Sequence, residues 1–298
     1  MTYKEAGQEL KSMLSGIYDA REAAHISEWV MEDLTGLSRL DRIMHEGTLS
    51  EDQEEKYRLY FSRLSDATPV QYVTGYAWFM GERFRVNEDV LIPRPETEEL
   101  VQWVKESIKD SGFRITTSGL NEKDSGIRNT KSGIVLIDIG TGSGCIPIML
   151  KKSVPQANIH AVDVSHDALE VASANATHHH ADVTFHKLDF LDESQWASLP
   201  MVDIIISNPP YVPLTDQQSM SRHVVDHEPH LALFVPDEDP LLFYRTIIQF
   251  AEKKLRTGGM IFFETHHELA GKVMMLAGGR SEVRKDMSGK ERMVKIMM

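Results

Sequence analysis

The sequence predicts an α/β protein: a doubly wound, seven-stranded sheet behind a small N-terminal helical bundle, with a β-hairpin linking the two. Three observations carry this. From residue 134 onward, short apolar β-rich runs alternate with helical patterns, as in a sheet covered by helices on both faces. Residues 1 to about 66 instead hold apolar positions at helical spacing and no such runs. Between them, residues 76–80 and 83–86 flank Gly81-Glu82, which reads as a hairpin. The chain has 298 residues, enough for about two domains. The expected divisions are a helical domain over 1–66, a hairpin linker over 67–95 and an α/β domain over 96–298.

In chain order, Leu10, Met13, Leu14 and Ile17 share one helical face, and Ile26, Trp29, Val30, Leu34 and Leu37 form another. Leu59, Tyr60, Phe61 and Leu64 supply a third apolar face, with turn-formers at Gly36 and 47–50 between the runs. Residues 90–95 (VLIPRP) are extended and stiffened by two prolines, and a helix over 96–108 begins just after Pro95 with acids in its first turn. Residues 110–133 are polar and rich in Gly, Ser and Thr, which predicts a surface loop. Strands are expected at 134–139, 159–164, 183–188, 202–207 and 259–264, and helices at 146–153, 166–177 and 240–256. Two more short runs over 281–297 can pair as an antiparallel edge.

Composition narrows the function classes. Hydrophobic residues make up 41% and charged residues 26%, ordinary for a globular protein with a core. No apolar run reaches the roughly 18 residues that a membrane span needs. The N-terminus mixes acids and bases and lacks the features of a signal or transit peptide. A single cysteine, Cys145, excludes an internal disulfide and fits a reducing cytoplasm. A net charge of -13 argues against broad electrostatic capture of nucleic acid, while leaving room for a local basic patch. The expectation is a cytoplasmic monomer with no membrane association and no stable nucleic-acid partner.

The first strand of the α/β region runs into Gly140-Thr141-Gly142-Ser143-Gly144, with a helix directly after. Glycines let the backbone turn sharply and approach a ligand, and a helix N-terminus presents free N–H groups. The spacing is G-x-G-x-G, which is neither the G-x-G-x-x-G of dinucleotide binders nor a lysine-bearing P-loop nor a G-x-S-x-G nucleophile turn. A tight structural turn is the plain alternative. Asp163 ends the second strand about 20 residues on, where a carboxylate receives ribose hydroxyls. A helix cap is its plain alternative, although Ser165 or Asp167 can fill that role. Asp189-Phe190 can place an acid and an aromatic beside an adenine ring, a weak signal alone.

The fourth strand runs into Asn208-Pro209-Pro210-Tyr211. Two prolines remove two N–H donors and lock the backbone. Asn208 offers a side-chain oxygen and Pro209 a backbone carbonyl, together able to accept both hydrogens of a planar –NH2 group. Tyr211 can lay its ring against a flat substrate. An amide nitrogen is a poor nucleophile, so holding its hydrogens and aiming it at an electrophilic carbon is catalysis by positioning and preorganisation, with no metal needed. Asn208, Pro209 and Tyr211 are the candidate catalytic residues.

With these segments in view, the chain resembles the release-factor glutamine N5-methyltransferases, the PrmC/HemK family. The resemblance is carried by PVQYVTG (69–75), FMGERF (79–84), VLIPRPETE (90–98), DIGTGSGC (138–145) and SNPPY (207–211). EP (228–229), AL (232–233) and DMSGKER (286–292) add to it. The match is close from about residue 66 onward and general before it, and IPRPETE is its most specific part. It implies a Rossmann-like seven-stranded methyltransferase sheet. It also implies that Gly140, Thr141, Gly142, Ser143, Gly144, Asp163, Phe190 and Asn208 bind S-adenosyl-L-methionine. Asn208, Pro209, Pro210 and Tyr211 would hold the substrate, the glutamine of the Gly-Gly-Gln motif in peptide chain release factors, gripped partly by the helical domain. Two departures are ETHHE (264–268), where the family tends to carry a glycine, and the longer 110–133 segment.

Weaker signals have plainer readings. His178, His179 and His180 are consecutive and cannot converge from one helix face, so a solvated helix end is expected rather than a metal site. His266 and His267 with Glu264 and Glu268 lack H-E-x-x-H geometry, and Cys145 has no evident base. The competing functions are methylation of adenine N6 in nucleic acid, which presents the same flat amine, methylation of a ribosomal-protein glutamine, and a catalytically silent binding module.

Overall fold

A computed structural model describes residues 1–111, 133–278 and 280–298. Most of the loop expected over 110–133 therefore lies outside the described residues. The chain divides into two compact units, Met1–Tyr76 with Met220–His227, and Ala77–Ser219 with Glu228–Met298.

The first unit is helical: α1 (Tyr3–Leu14), α2 (Ala20–Thr35), α3 (Arg39–Met44), α4 (Glu51–Ser65) and α5 (Val70–Thr74). Local chemistry sets the ends. Thr2 with Glu5 and Ser50 with Gln53 form capping boxes, Asp19 and Ser38 cap α2 and α3, and α2 stops at Gly36 with φ of 67°. The apolar faces predicted for α1, α2 and α4 meet in one core that includes Leu10, Leu14, Ile26, Val30 and Leu64. Val70 and Val73 join that core. The unit consequently runs to Tyr76, past the expected boundary at 66, because Pro69 and Gly75 frame a five-residue helix too short to show a periodicity. Residues 220–227, with α9 (Arg222–Val225), also belong to it, through a His223 ring 5.6 Å from Tyr18 and a His227–Asp66 carbonyl hydrogen bond of 3.1 Å.

The second unit starts at Ala77, inside the hairpin formed by β1 (Tyr76–Phe79) and β2 (Glu82–Arg85). Its turn is Met80-Gly81, one residue earlier than expected, with φ of 51° and 78° as a two-residue hairpin turn matched to strand twist requires. Helix α6 (Pro95–Asp110) begins with proline in its first turn. The α/β region then runs β3 (Val135–Ile139), α7 (Cys145–Ser153), β4 (Asn158–Asp163), α8 (His166–His178), β5 (Thr184–Lys187) and β6 (Val202–Ser207). Next come β7 (Val212–Pro213), a short 3-10 helix (Leu214–Ser219), α10 (His230–Leu233) and β8 (Phe234–Val235). The remainder is α11 (Leu242–Lys254), β9 (Leu255–Glu264), α12 (Ala270–Leu276), β10 (Arg280–Lys285) and β11 (Glu291–Met297).

Seven strands form one sheet in the order β10-β11-β9-β6-β3-β4-β5. The pairs β9–β6, β6–β3, β3–β4 and β4–β5 are parallel, and β11 is antiparallel to both neighbours. The order reverses between β3 and β6, so their carboxyl ends open the crevice where such sheets bind ligands. Both strands are buried on two faces and alternate between cores: Leu136, Ile204 and Ile206 face Leu100, Val104 and Ile148, while Ile137 and Ile205 face Tyr244, Ile247 and Phe250. Trp103, 1% exposed, packs edge-on against Phe262 at 5.5 Å and holds α6 against β9. Truncating such a ring to alanine costs about 3–5 kcal/mol.

Candidate active site

Register creates the site. Ile139 lies beside Ser207 in the β3–β6 ladder, and the Ser207 hydroxyl donates to the Ile139 carbonyl at 2.7 Å. Gly140 and Asn208, the next residues, therefore stand side by side at the crevice.

Gly140, Gly142 and Gly144 all have positive φ, at 75°, 52° and 78°. Gly140 and Thr141 donate their N–H groups to the Val162 carbonyl, which fastens the turn to β4. A Cβ on Gly140 or Gly142 would meet nothing within 4 Å, so that side of the turn is open. A Cβ on Gly144 would lie 3.0 Å from Ala172 Cβ, so this glycine serves the packing of the turn on α8. The buried Asn175 of α8 donates to the Ser143 carbonyl at 2.9 Å and brackets the Arg85 backbone with two further bonds, joining turn to hairpin.

Asp163 is not the cap of α8; Ser165 is. Its two oxygens accept from Gly142 N at 2.9 Å and Ser165 N at 3.0 Å. A carboxylate has about four acceptor positions, so two remain. Burial holds its pKa above the ordinary value despite these bonds. Beneath the turn, Asp138 is buried and pushed up to about 7, chiefly by burial, with the Thr141 hydroxyl opposing and Asp163 reinforcing. Neither Asp138 oxygen nor the Thr141 hydroxyl has a geometrically satisfactory partner among the described residues.

Gly140 and Asp163 edge a cleft of about 370 Å³, the size of a small-molecule site. Gly140, Asp163, Phe190, Asn208, Pro209 and Pro210 line it, together with Glu88, Asp89, Leu91, Pro229 and Leu231. The Phe190 ring is fixed from behind by Phe250 at 5.1 Å and Trp196 at 5.5 Å. Of the other predicted residues, Thr141 and Ser143 are buried, and neither they nor Gly142 and Gly144 line the cleft. Tyr211 does not line it either; its ring lies 6.2 Å from that of His266, and burial pushes its hydroxyl up to about 12.

The 90–99 segment supplies what the sequence reading did not assign. Arg94 pairs with buried Glu228 at 2.5 Å, and Glu228 also accepts from Ile92 N, which anchors the Pro229–Leu231 wall. Glu98 accepts from Met80 N at 2.8 Å and Glu99 from Met287 N at 3.1 Å, tying α6 to two turns. Thr97 accepts from Asn208 Nδ2 at 3.3 Å and donates to Glu264 Oε2 at 2.7 Å. Glu264 is fully enclosed and burial pushes it up to about 7, with Glu96 adding and Thr97, Arg292 and Arg94 opposing. The available signal was position: Asp138 and Glu264 are acids in apolar strands near the crevice.

Of the three consecutive histidines, His178 and His180 are exposed, and His179 is the one that packs inward. His179 packs on Phe84 at 4.5 Å and bonds the Arg83 carbonyl, and no metal-binding group of His, Cys, Asp and Glu occurs among the described residues. The Cys145 thiol is pushed up to about 12 by burial, which makes it unreactive.

A doubly wound sheet with a glycine turn and an Asn-Pro-Pro edge on one crevice defines this chain as a methyltransferase. Residues 107–229 match the family model Methyltransferase small domain, and residues 5–75 match PrmC N-terminal domain. The release factor glutamine methyltransferase of Flavobacterium psychrophilum is 36% identical over 302 residues, covering 99% of each chain. That of Bacteroides thetaiotaomicron is 38% identical over 96% of each, and that of Bacillus subtilis 31% identical over 96% of each. The chain belongs to the release factor glutamine methyltransferase family.

Proposed function

We propose that this chain transfers a methyl group from S-adenosyl-L-methionine to the side-chain amide nitrogen (N5) of the glutamine in the Gly-Gly-Gln motif of peptide chain release factors, modulating translation termination. The observation that carries this is the placement of Asn208 and Pro209 on the same cleft as Gly140, Asp163 and Phe190. Bound S-adenosyl-L-methionine supplies an electrophilic methyl group on a sulfonium. The chain's groups suit that cofactor. Gly140 and Gly142 leave an open backbone, Asp163 keeps acceptor positions for hydroxyls, and Phe190 offers an apolar wall. Asp138 and Thr141, buried with no geometrically satisfactory partner among the described residues, suit a cationic amino-acid end.

Asn208 Oδ1 and the Pro209 carbonyl accept the two hydrogens of the glutamine amide, and the prolines keep that carbonyl from moving. Holding the nitrogen in line offsets its weak nucleophilicity, and such positioning supplies up to about 7–11 kcal/mol. The enzyme acts in the cytoplasm without a stable nucleic-acid partner; the lone cysteine supports the first and the net charge of -13 the second. No helix among the described residues is long and apolar enough to cross a membrane.

The test is a radiolabel assay in which methyl-labelled cofactor and purified protein are offered a release factor, the same factor with Gln→Ala in the tripeptide, a ribosomal protein and DNA. Label in the intact release factor alone is expected. Label in DNA, or label that survives the Gln→Ala change, overturns the substrate.

A further inference from the structure

Three elements meet behind Asn208: the end of β6, the first turn of α6 and the last residue of β9. Asn208 Nδ2 donates to Thr97 Oγ1, and the Thr97 hydroxyl donates to Glu264 Oε2. Thr97 is 3% exposed and Glu264 2%, so water does not intervene freely. A threonine hydroxyl has one proton. With that proton committed to Glu264, the oxygen facing Asn208 can only accept, and the Asn208 amide must turn its NH2 toward Thr97. Its Oδ1 forms no hydrogen bond among the described residues and is left for a ligand.

We propose that Thr97 and Glu264 are positioning residues that fix which way round the Asn208 amide stands, so that an oxygen and not an amino group meets the substrate amide. This role presupposes the amide methylation proposed above. A reversed Asn208 would set donor against donor, leaving the glutamine hydrogens unpaired in a desolvated site. Backbone rigidity at Pro209 and Pro210 cannot prevent that reversal, because rotation about the final side-chain bond leaves the backbone untouched. The hydrogen-bond direction must come from outside the tetrad.

The surrounding charges give the arrangement a pH dependence. Glu264 faces Arg94 and Glu96 at the start of α6, Arg292 on β11, Tyr211 beyond β6, Tyr244 on α11 and Cys145 at the start of α7. Burial holds its carboxyl up to about 7. Ionised Glu264 can only accept, which directs the Thr97 proton away from Asn208. Once protonated it can donate to Thr97 Oγ1, freeing the Thr97 proton to bond Asn208 Oδ1 and reverse the amide. The productive orientation therefore belongs to the ionised form, and kcat falls as pH drops through about 7. Asp138 titrates in the same range but sits under the glycine turn, so kcat is read at saturating cofactor.

The experiment compares wild type, Thr97→Val, Thr97→Ser and Glu264→Gln on a release factor across pH. Thr97→Val and Glu264→Gln are expected to lower kcat about 10- to 100-fold while cofactor Kd changes less than about twofold. Thr97→Ser, which keeps the hydroxyl, stays within about threefold of wild type. The acid limb of kcat disappears in Glu264→Gln, a change that loss of packing alone does not produce. Wild-type kcat and an unchanged pH profile in Thr97→Val and Glu264→Gln overturn the proposal. If those variants do not fold, a wild-type kcat indifferent to pH between about 5.5 and 8 overturns it instead. Failure of wild type to label a release factor defeats the proposed activity itself; labelling by wild type with indifferent variants defeats only the positioning role.

Discussion

The carboxyl ends of β3 and β6 lie side by side, yet they solve opposite problems. At β3 the chain offers bare backbone: Gly140 and Gly142 turn with positive φ and leave open space where side chains would stand. At β6 it offers a side chain on a backbone locked by two prolines, whose hydrogen-bond direction is set by Thr97 and Glu264. The conformation of a glycine turn is set by five neighbouring residues, although β4 and α8 fasten it in place. An oriented amide is a distributed device, drawing on positions 111 residues before it and 56 after it in the chain, as the numbering of Thr97, Asn208 and Glu264 shows. Damage at the first end should appear in cofactor binding and stability, and damage at the second in turnover.

The comparison breaks most sharply at Asn208. Asn208→Ala removes an acceptor needed as the nitrogen becomes electron-deficient, and kcat should fall about 10²- to 10³-fold with the unfolding temperature unchanged. Retained turnover in steady-state kinetics would refute the assigned role. Gly144→Ala tests the other end. Its Cβ would press on Ala172 at 3.0 Å in a backbone conformation that side chains resist, so a stability loss of roughly 1–3 kcal/mol is expected in denaturant unfolding. An unchanged midpoint would show that the turn is looser than it looks. Asp163→Asn keeps one acceptor and loses the charge, and should weaken cofactor Kd about tenfold while leaving kcat at saturation nearly intact. A fall in kcat without a change in Kd would reverse the division of labour.

Smaller still is a proton effect. Asp138 and Glu264 are both raised to about 7 in the folded chain. Between the ordinary carboxylate range and about 7 the folded state binds more protons than the unfolded one, so their contribution to stability falls as pH rises through that window. A cation bound beside Asp138 favours the carboxylate, so cofactor binding near pH 6.5 should release a fraction of a proton, up to roughly three-quarters of one. Calorimetry in two buffers of different ionisation enthalpy measures it. Proton uptake would place the cationic end of the cofactor elsewhere.

What the sequence made legible follows the same divide. The strands of the doubly wound sheet, the antiparallel edge and the glycine turn are written in runs of neighbouring residues, and they stand within a residue or two of where periodicity and glycine spacing put them, except β9, which starts at Leu255, four residues before the expected 259. The first unit's extension to Tyr76 was hidden because Val70 and Val73 show their purpose only against Val30 and Leu64. Residues 220–227 were hidden for the same reason, since a return of the chain to an earlier unit leaves no local pattern. The PETE run (95–98) was visible as a motif, but not as hydrogen-bond assignments for Thr97 and Glu98, nor for Glu99 after it. Glu264 was read as a departure from the family's pattern, whereas its carboxylate is the acceptor that ends the Asn208 chain.

The central claim is that the cleft delivers one methyl group to one flat nitrogen. Fragment mass spectrometry of a release factor incubated with the enzyme and S-adenosyl-L-methionine locates that group directly. A single added methyl is expected on the glutamine side chain of the Gly-Gly-Gln tripeptide, absent with Asn208→Ala. A methyl group on any other residue, or the same product formed by Asn208→Ala, contradicts it.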